Sequence, residues 1–362
     1  MNQRLANLRA QLAEQKLDGL IVTRPENQLY LSGFSAEEYL DATVLVGMEQ
    51  AWISTDSRYY EEVKERAPAW QLFEAGYDRV KVFGEFAGAI KPKTLGFEAT
   101  HLTVATLKEW SKAARKHGYK LVPTAGLVES ERVAKEPAEL ETIRRAVKLA
   151  DDAFEHFRQH IQPGMTEKQG AWIIEEFMRQ HGADKTAFEL IVQAGPNGAF
   201  PHKRPSDRVI QRGEPIVVDI GARIDHYNSD LTRTVCLGEP ADGQFLKIHA
   251  IVLKAQQTAE KKIKAGIKGK RADAFARKVI EKAGYGSQFG HGLGHGVGLA
   301  VHEAPRASKL SKEIYRPNMT LTIEPGIYIP GWGGVRIEDL IVIRENAVEI
   351  LSQATKEPIV NR

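Results

Sequence analysis

Hydrophobic residues recur along the chain with two different spacings. Spacings of three and four residues, which place side chains on one face of a helix, begin near Glu136 and end before Pro163-Gly164. Thr166 followed by Gln169 has the capping-box pattern of a second helix start. The helices predicted in this way cover the N-terminal twenty residues, 136–160, 166–181, 244–264 and 272–282.

Shorter apolar runs rich in β-branched residues predict strands. Early in the chain they alternate with helical stretches, which is typical of an α/β domain. The strands predicted in this way cover 19–23, 42–46, 51–53, 94–97, 189–192 and 215–220, a hairpin over 222–237, and a final set from 319 to 350. Pro123 and Gly126 interrupt the pattern, so we predict one domain over 1–127 and a second over 128–362.

The composition narrows the class of protein. A chain of 362 residues can form two domains, and 42% hydrophobic with 27% charged residues is ordinary globular usage. The net charge of +3 gives no reason to expect nucleic acid or an anionic membrane as a partner. The single cysteine, Cys236, excludes an intrachain disulfide or a thiolate cluster, and no apolar run approaches the ~20 residues that span a bilayer. We therefore expect a soluble cytoplasmic protein.

Two carboxylates interrupt apolar segments early in the second domain. Asp219 stands among β-branched residues in the run 215–220, where an unpaired charge is costly to bury. Asp230 follows eleven residues later, after a turn-like segment that could return it beside Asp219. Facing carboxylates repel unless a cation or a proton lies between them. Either aspartate alone is more simply explained as a turn residue, a helix cap or a salt-bridge partner.

The same feature recurs near the C-terminus. Glu324 and Glu338 each stand within an apolar run, and strand alternation places Arg336 on the same face as Glu338. That pair alone would be an ordinary salt bridge. Because Arg336 is the only basic candidate on these runs, a metal cluster explains the four carboxylates better than four separate salt bridges do.

A glycine-rich segment with three histidines lies between the two carboxylate pairs. Residues 290–303 contain His291, His295, His302 and five glycines. Neutral imidazole is a common ligand of transition metals, and glycine allows the backbone to approach other groups closely. The glycine spacing fits neither a dinucleotide fingerprint nor a phosphate-binding loop. A further histidine, His202, lies in a proline-bracketed loop and, taken alone, is typical of a surface residue.

Four carboxylates and one imidazole suit a pair of divalent cations. Such an oxygen-rich donor set with one nitrogen fits manganese, cobalt, iron or zinc. Two such ions can acidify a water molecule and polarise a carbonyl group at once. Hydrolysis of an acyl bond is therefore the expected reaction.

The order of these residues resembles that of the pita-bread metallopeptidases, which include methionine aminopeptidase, aminopeptidase P and prolidase. The resemblance covers roughly residues 130–350 and rests on the following ordered set: His202, Asp219, Asp230, His295, His302, Glu324 and Glu338. The N-terminal segments 30–34 and 55–59 look like those of the creatinase-type domain in the proline-specific branch. The resemblance implies a creatinase-like α/β domain followed by a pita-bread α+β catalytic domain with an antiparallel sheet.

The resemblance also implies how metal would be held. Two divalent ions per subunit are expected, with manganese or cobalt favoured and zinc or iron as further candidates. Asp219 would chelate one ion, Asp230 and Glu338 would bridge both, and His295 and Glu324 would complete the other shell. Glu324 would also carry the proton between the attacking water and the leaving nitrogen.

The remaining candidate residues are expected to contact the substrate. By the same resemblance, His202 and His302 would stabilise the developing oxyanion or hold the substrate carbonyl. His291 and Arg336 match positions that line the substrate site in the proline-specific branch. Arg306 resembles an arginine that binds the carboxylate of a dipeptide, a task that suits a guanidinium group, although a surface salt bridge is an alternative explanation.

The function implied is cleavage of the peptide bond before proline, first as an Xaa-Pro dipeptidase. Aminopeptidase P, which accepts longer peptides, is the near alternative. A metal-free hydrolase of the creatinase type and a non-catalytic peptide-binding module on the same fold are further alternatives, and the complete ligand set disfavours both. A homodimer is expected from the resemblance.

Overall fold

The structure is a computed structural model that describes residues 3–36 and 38–360. It divides into two compact units, Met1–Arg132 and Val133–Arg362. The boundary predicted near residue 127 lies at the start of a short helix, Leu127–Arg132, that belongs to the first unit. Within the described ranges, no helix is long and apolar enough to cross a bilayer.

The first unit is built around a six-stranded mixed sheet. Its helices are α1 (Gln3–Glu14), α2 (Pro25–Ser32), α3 (Tyr60–Arg66), α4 (Arg79–Gly88), α5 (Val104–Lys116) and α6 (Leu127–Arg132). Its strands are β1 (Gly19–Val22), β2 (Ala42–Gly47), β3 (Ala51–Thr55), β4 (Gln71–Glu74), β5 (Thr94–Glu98) and β6 (Lys120–Thr124). The strand order is β4-β3-β2-β1-β5-β6, with β1 antiparallel to β2 and parallel to β5.

The second unit contains longer helices and several small antiparallel sheets. Its helices are α7 (Pro137–His160), α8 (Glu167–Gln180), α9 (Gln244–Glu260) and α10 (Gly269–Lys282), with 3-10 turns at Gly195–Ala199 and Gly286–Gln288. Its strands are β7 (Lys185–Thr186), β8 (Ile191–Ala194), β9 (Pro215–Ile220), β10 (Ala222–Ile224), β11 (Tyr227–Asn228), β12 (Leu231–Leu237), β13 (Gly294–Gly296), β14 (Glu303–Ala307), β15 (Thr320–Ile323), β16 (Gly326–Ile329), β17 (Gly333–Arg336), β18 (Asp339–Ile343), β19 (Val348–Ile350) and β20 (Ile359–Val360).

Strand pairing in the second unit is mostly antiparallel. One sheet has the order β20-β12-β9-β8, and another has the order β15-β18-β19. Helices α7 and α8 pack on the first sheet around Phe154 and Phe157, and helices α9 and α10 share a second apolar core with β15 and β18 around Phe245 and Leu321. The predicted order of domains is confirmed: an α/β domain is followed by an α+β domain with antiparallel sheets.

The helix predictions in the second unit are confirmed with small shifts at the ends. Thr166 and Gln169 form the predicted capping box, because the Gln169 N–H donates to Thr166 Oγ1 and the Thr166 N–H donates to Gln169 Oε1. The predicted hairpin over 222–237 is wrong in its second half. Strand β10 pairs with β11 across Asp225 and His226, both with positive φ, whereas β12 pairs with β9. Strand β12 is buried along its whole length, which a central strand requires.

Candidate metal centre

Two neighbouring strands bring the two aspartates together. Asp219 lies within β9, and Asp230 immediately precedes β12. The strands are antiparallel, with Leu231 opposite Ile220 and Thr232 opposite Asp219. Because residues opposite each other on paired strands are neighbours, Asp219 and Asp230 lie at the same end of this strand pair.

The sequence had suggested that both glutamates lie within strands. In the structure they lie at strand ends instead. Glu324 directly follows β15, and Glu338 lies between β17 and β18. Since Ile323 pairs with Asp339, both glutamates lie at the same end of the β15–β18 ladder. The Glu338 N–H donates to the Thr232 carbonyl oxygen at 3.0 Å, which joins this ladder to β12. The aspartate pair and the glutamate pair therefore meet.

The imidazole of His295 completes the cluster. Asp219, Asp230 and Glu338 place carboxylate oxygens within 4.8 Å of one another. His295, in β13, has its Nε2 atom 3.7 Å from Asp230 Oδ2 and 3.4 Å from Glu324 Oε1. The structure thus places all five predicted ligand positions at one point in the second unit.

Burial and mutual repulsion make this cluster unfavourable without a cation. Burial, followed by the charges of Glu338 and Asp219, raises the pKa of Asp230 well above its usual value. Burial, followed by the charges of Glu324 and Asp219, has the same effect on the pKa of Glu338. Burial lowers the pKa of His295, so the imidazole is neutral and free to act as a ligand.

The donor atoms fit a metal site. Asp219 Oδ1 is buried and has no hydrogen-bond partner among the residues that the structure describes. A buried polar atom without a partner is uncommon because it is costly, and a cation in this position would satisfy it. Carboxylate oxygens with one imidazole nitrogen form a donor set that manganese, cobalt, iron and zinc accept.

Comparison with protein families agrees with this geometry. The profile of metallopeptidase family M24 matches residues 141–345, and that of the creatinase/prolidase N-terminal domain matches residues 4–134. The chain belongs to metallopeptidase family M24. Its fold is a creatinase-type N-terminal domain followed by the pita-bread domain of that family, as predicted.

Similarity to individual M24 proteins extends over the full length of the chain. An Xaa-Pro dipeptidase of Pyrococcus horikoshii is 36% identical over 360 residues, which cover 99% of each chain. The solved structure of an Xaa-Pro dipeptidase from Bacillus anthracis has a TM-score of 0.93 at 36% identity and covers 99% of each chain. An X-Pro aminopeptidase from Thermotoga maritima has a TM-score of 0.91 at 34% identity, covering 98% of this chain and 99% of its own.

In this M24 chain the cluster lines a cavity of about 580 Å³. The other residues expected to contact the substrate also line this cavity: His202, His291, His302, Arg306 and Arg336. Aliphatic and aromatic side chains, among them Phe188 and Val301, line it as well. A concave site with a few convergent polar groups is typical of a small-molecule or peptide site.

Strand β14 and the residue before it place Arg306 and His302 beside His295 in β13. Arg306 is opposite His295 in the β13–β14 pair, and the His302 and His295 rings meet edge to face with centroids 4.3 Å apart. Desolvation, followed by electrostatic interactions with His295 and Arg306, lowers the pKa of His302 to about 4. His302 is therefore neutral near pH 7.

Arg336 pairs with Asp219, not with Glu338 as the alternation along its strand had suggested. Its Nε–H donates to Thr232 Oγ1 at 3.0 Å, and its Nη1–H donates to the Tyr328 hydroxyl at 2.9 Å. That hydroxyl lies 3.0 Å from His291 Nε2. Arg336 and His291 thus belong to one hydrogen-bonded group at the cavity wall.

Three polar residues that the sequence does not single out hold the groups of this site: Thr232 and Thr322 bind candidate ligands, and Tyr328 binds Arg336 and His291. Thr232 Oγ1 donates to Glu338 Oε2 at 2.6 Å. Thr322 Oγ1 donates to Glu324 Oε1 at 3.1 Å and accepts from the His295 N–H at 3.1 Å. Both threonines are ordinary strand residues, and Tyr328 is an ordinary aromatic of β16, so no local pattern distinguishes them.

Proposed function

We propose that this chain is an Xaa-Pro dipeptidase that uses two divalent metal ions. The observation that carries the proposal is a complete donor set around one cavity, in a chain that matches proteins named Xaa-Pro dipeptidase from end to end. The expected substrate is a dipeptide with proline as its second residue. The bond cleaved would be the peptide bond to the proline nitrogen.

The five ligand residues would hold the ions as the family resemblance implies. Asp219, Asp230, Glu324 and Glu338 would supply carboxylate oxygens to the ions, and His295 would supply an imidazole nitrogen. Mn²⁺ or Co²⁺ is favoured, with Zn²⁺ and Fe²⁺ as alternatives. Such a pair supplies an acidified water molecule and polarises the scissile carbonyl group.

The remaining chemistry falls to side chains of the cavity. Burial raises the pKa of Glu324, which suits a carboxylate that accepts a proton from water and passes it to the leaving proline nitrogen. Neutral His302 would donate a hydrogen bond to the oxyanion that develops on the carbonyl group. His202 would contribute a second donor from the loop that follows the 3-10 turn Gly195–Ala199.

Peptide length would be set by Arg306, whose guanidinium group would pair with the carboxylate of a bound dipeptide. The similarity to the Thermotoga maritima X-Pro aminopeptidase supports a second candidate, removal of the first residue from longer peptides that carry proline second. In that case Arg306 would have no terminal carboxylate to bind.

The two candidates differ in their response to a matched substrate pair. We expect Mn²⁺-loaded protein to cleave a dipeptide ending in proline faster than a tripeptide with proline second. Arg306→Met should raise KM for the dipeptide strongly and leave the tripeptide almost unchanged, while Arg306→Lys keeps the charge and should lose less. Exclusive cleavage of the tripeptide would establish the aminopeptidase instead.

A homodimer and a cytoplasmic location also remain proposals, since they rest on the resemblance and on the composition. Light scattering on purified protein would decide the first, with the mass of two chains as the expected result. Fractionation of the native cells would decide the second.

A further inference from the structure

A buried carboxylate outside the cavity organises the loop that carries His202. Glu167 is the first residue of α8 and is 0% exposed. The family resemblance implies no role for it, and its neighbours Thr166 and Gln169 indicate only a helix start. A buried carboxylate must be paired or fully hydrogen-bonded to be tolerated, so its partners are informative.

One oxygen of Glu167 binds the start of the loop. Glu167 Oε1 accepts hydrogen bonds from the Ala194 N–H at 2.8 Å and from Asn197 Nδ2 at 2.9 Å. Ala194 is the last residue of β8, and Asn197 lies in the 3-10 turn Gly195–Ala199. The chain is therefore held where it leaves the sheet.

The other oxygen binds the end of the same loop. Glu167 Oε2 accepts from the Ser206 N–H at 3.0 Å and from Ser206 Oγ at 2.6 Å. The backbone of α8 adds two more bonds, from the Glu167 N–H to the Arg208 carbonyl and from the Lys168 N–H to the Ser206 carbonyl. One carboxylate thus joins both ends of the segment 195–206.

His202 depends on this segment for its position. It lines the cavity and has no hydrogen bond or ion pair with any residue that the structure describes. The next residue, Lys203, is held on both sides: its Nζ donates to Asn197 Oδ1 within the loop at 2.6 Å, and its carbonyl oxygen accepts from Nε2 of Gln193 in β8. The backbone that Glu167 holds therefore sets where the His202 side chain begins and how far it reaches into the cavity.

We propose that Glu167 is a positioning residue that sets the place of His202 in the cavity. The proposal rests on the function proposed above, in which His202 contacts the substrate carbonyl. Glu167 is not among the residues that line the cavity, so its effect on the reaction would pass through the loop. A displacement of about 1 Å of a catalytic group can cost as much as a hundredfold in rate.

The test is a double-mutant cycle between the two residues. Glu167→Gln places an NH₂ group where an oxygen now accepts a backbone N–H, so one end of the loop is released. We expect kcat on the Xaa-Pro dipeptide to fall about tenfold or more, with Mn²⁺ affinity unchanged. In a His202→Ala background the same substitution should cost less than about twofold, because the group it positions is gone. Equal losses in both backgrounds would overturn the proposal.

Two further variants separate positioning from general loss of stability. Ser206→Ala removes one donor to Glu167. It should show part of the kcat loss expected for Glu167→Gln while the protein still folds. Ile174→Val, buried in the same helix but directed to the apolar core, should lower the melting temperature without changing kcat. A kcat loss in Ile174→Val equal to that in Ser206→Ala would contradict a specific role for Glu167.

Hydrogen exchange gives a readout that does not need activity. Peptides covering 195–206 should exchange faster in Glu167→Gln than in the wild-type protein, while peptides of α8 beyond its first turn should not change. Unchanged exchange in that loop would overturn the proposal. If the wild-type protein cleaved no proline peptide, the proposed function would fail, and the exchange result would still decide whether Glu167 holds the loop.

Discussion

At the scale of single residues, the candidate metal centre depends on hydroxyl groups that are not themselves ligands. Thr232 is the clearest case, since one Oγ1 atom donates to Glu338 and accepts from Arg336. It therefore fixes the carboxylate of a candidate ligand and the guanidinium group that faces Asp219. Partners of this kind orient ligands and tune their affinity for metal.

Thr232→Val, which keeps the shape and removes the hydroxyl, should lower Mn²⁺ affinity or kcat/KM about 10- to 100-fold. Thr232→Ser keeps the hydroxyl and should stay near the wild-type values. Calorimetric titration with Mn²⁺ and steady-state kinetics on the dipeptide measure the two quantities. If Thr232→Val and Thr232→Ser had the same Mn²⁺ affinity and the same kcat/KM, the Thr232 hydroxyl would have no role at the metal centre.

The raised pKa values of Asp230 and Glu338 predict that metal binding releases protons. In the metal-free protein these carboxyls retain protons at a pH where an exposed carboxyl has lost them, and an ion must displace those protons. Mn²⁺ affinity should therefore rise as pH rises toward the raised pKa values. For the same reason, metal-free protein should lose folding stability with rising pH, because its folded state binds more protons than the unfolded chain.

Calorimetry in buffers of different ionisation enthalpy counts the released protons directly, and thermal melts of metal-free protein follow the stability. Affinity that does not change with pH, together with no proton release, would show that the carboxylates are already ionised in the metal-free state.

At the scale of elements, the close approach of two backbone segments supports the cavity wall. Strand β17, which carries Arg336, passes against the 3-10 turn Gly195–Ala199 at two glycines. A Cβ atom at Gly334 would overlap the Gly198 carbonyl oxygen and lie 2.8 Å from Tyr328 Cδ1. Neither neighbour can yield without moving the His202 loop or the Tyr328–Arg336 pair.

Gly334→Ala should therefore cost about 1–3 kcal/mol of folding free energy, as overpacking does, and should also lower activity. The matched control is Gly243→Ala, because a Cβ there meets no heavy atom within 4 Å and φ is −74°. Chemical denaturation of both variants gives the comparison. If Gly334→Ala and Gly243→Ala had equal free energies of unfolding, β17 and the 3-10 turn would be able to move apart without cost.

The periodic elements could be predicted from the sequence, and the short ones could not. Helices α7 and α8 have a clear apolar face and caps, so the expected positions were correct within a few residues. Strands β7, β13 and β20 have two or three residues each and little hydrophobic pattern. Their pairing is decided by tertiary contacts such as the Gly238 N–H bond to the Val360 carbonyl, which lies far away in the chain.

At the scale of the whole chain, the candidate ligands could be identified because their order and residue types form a pattern on their own. Their hydrogen-bond partners could not. Thr232 and Glu338 are 106 residues apart, and Arg336 and Asp219 are 117 apart, so no local spacing relates them. Glu167 was missed for the same reason, because its partners at 194–206 adjoin it only after folding.

The most direct test of a two-metal Xaa-Pro dipeptidase is to remove the metal and restore it. We predict that metal-free protein does not cleave a dipeptide ending in proline, that activity returns with Mn²⁺ or Co²⁺ as two ions bind per chain, and that Asp230→Asn abolishes both binding of the second ion and activity. Full activity in protein shown by elemental analysis to hold no divalent metal would contradict the proposal.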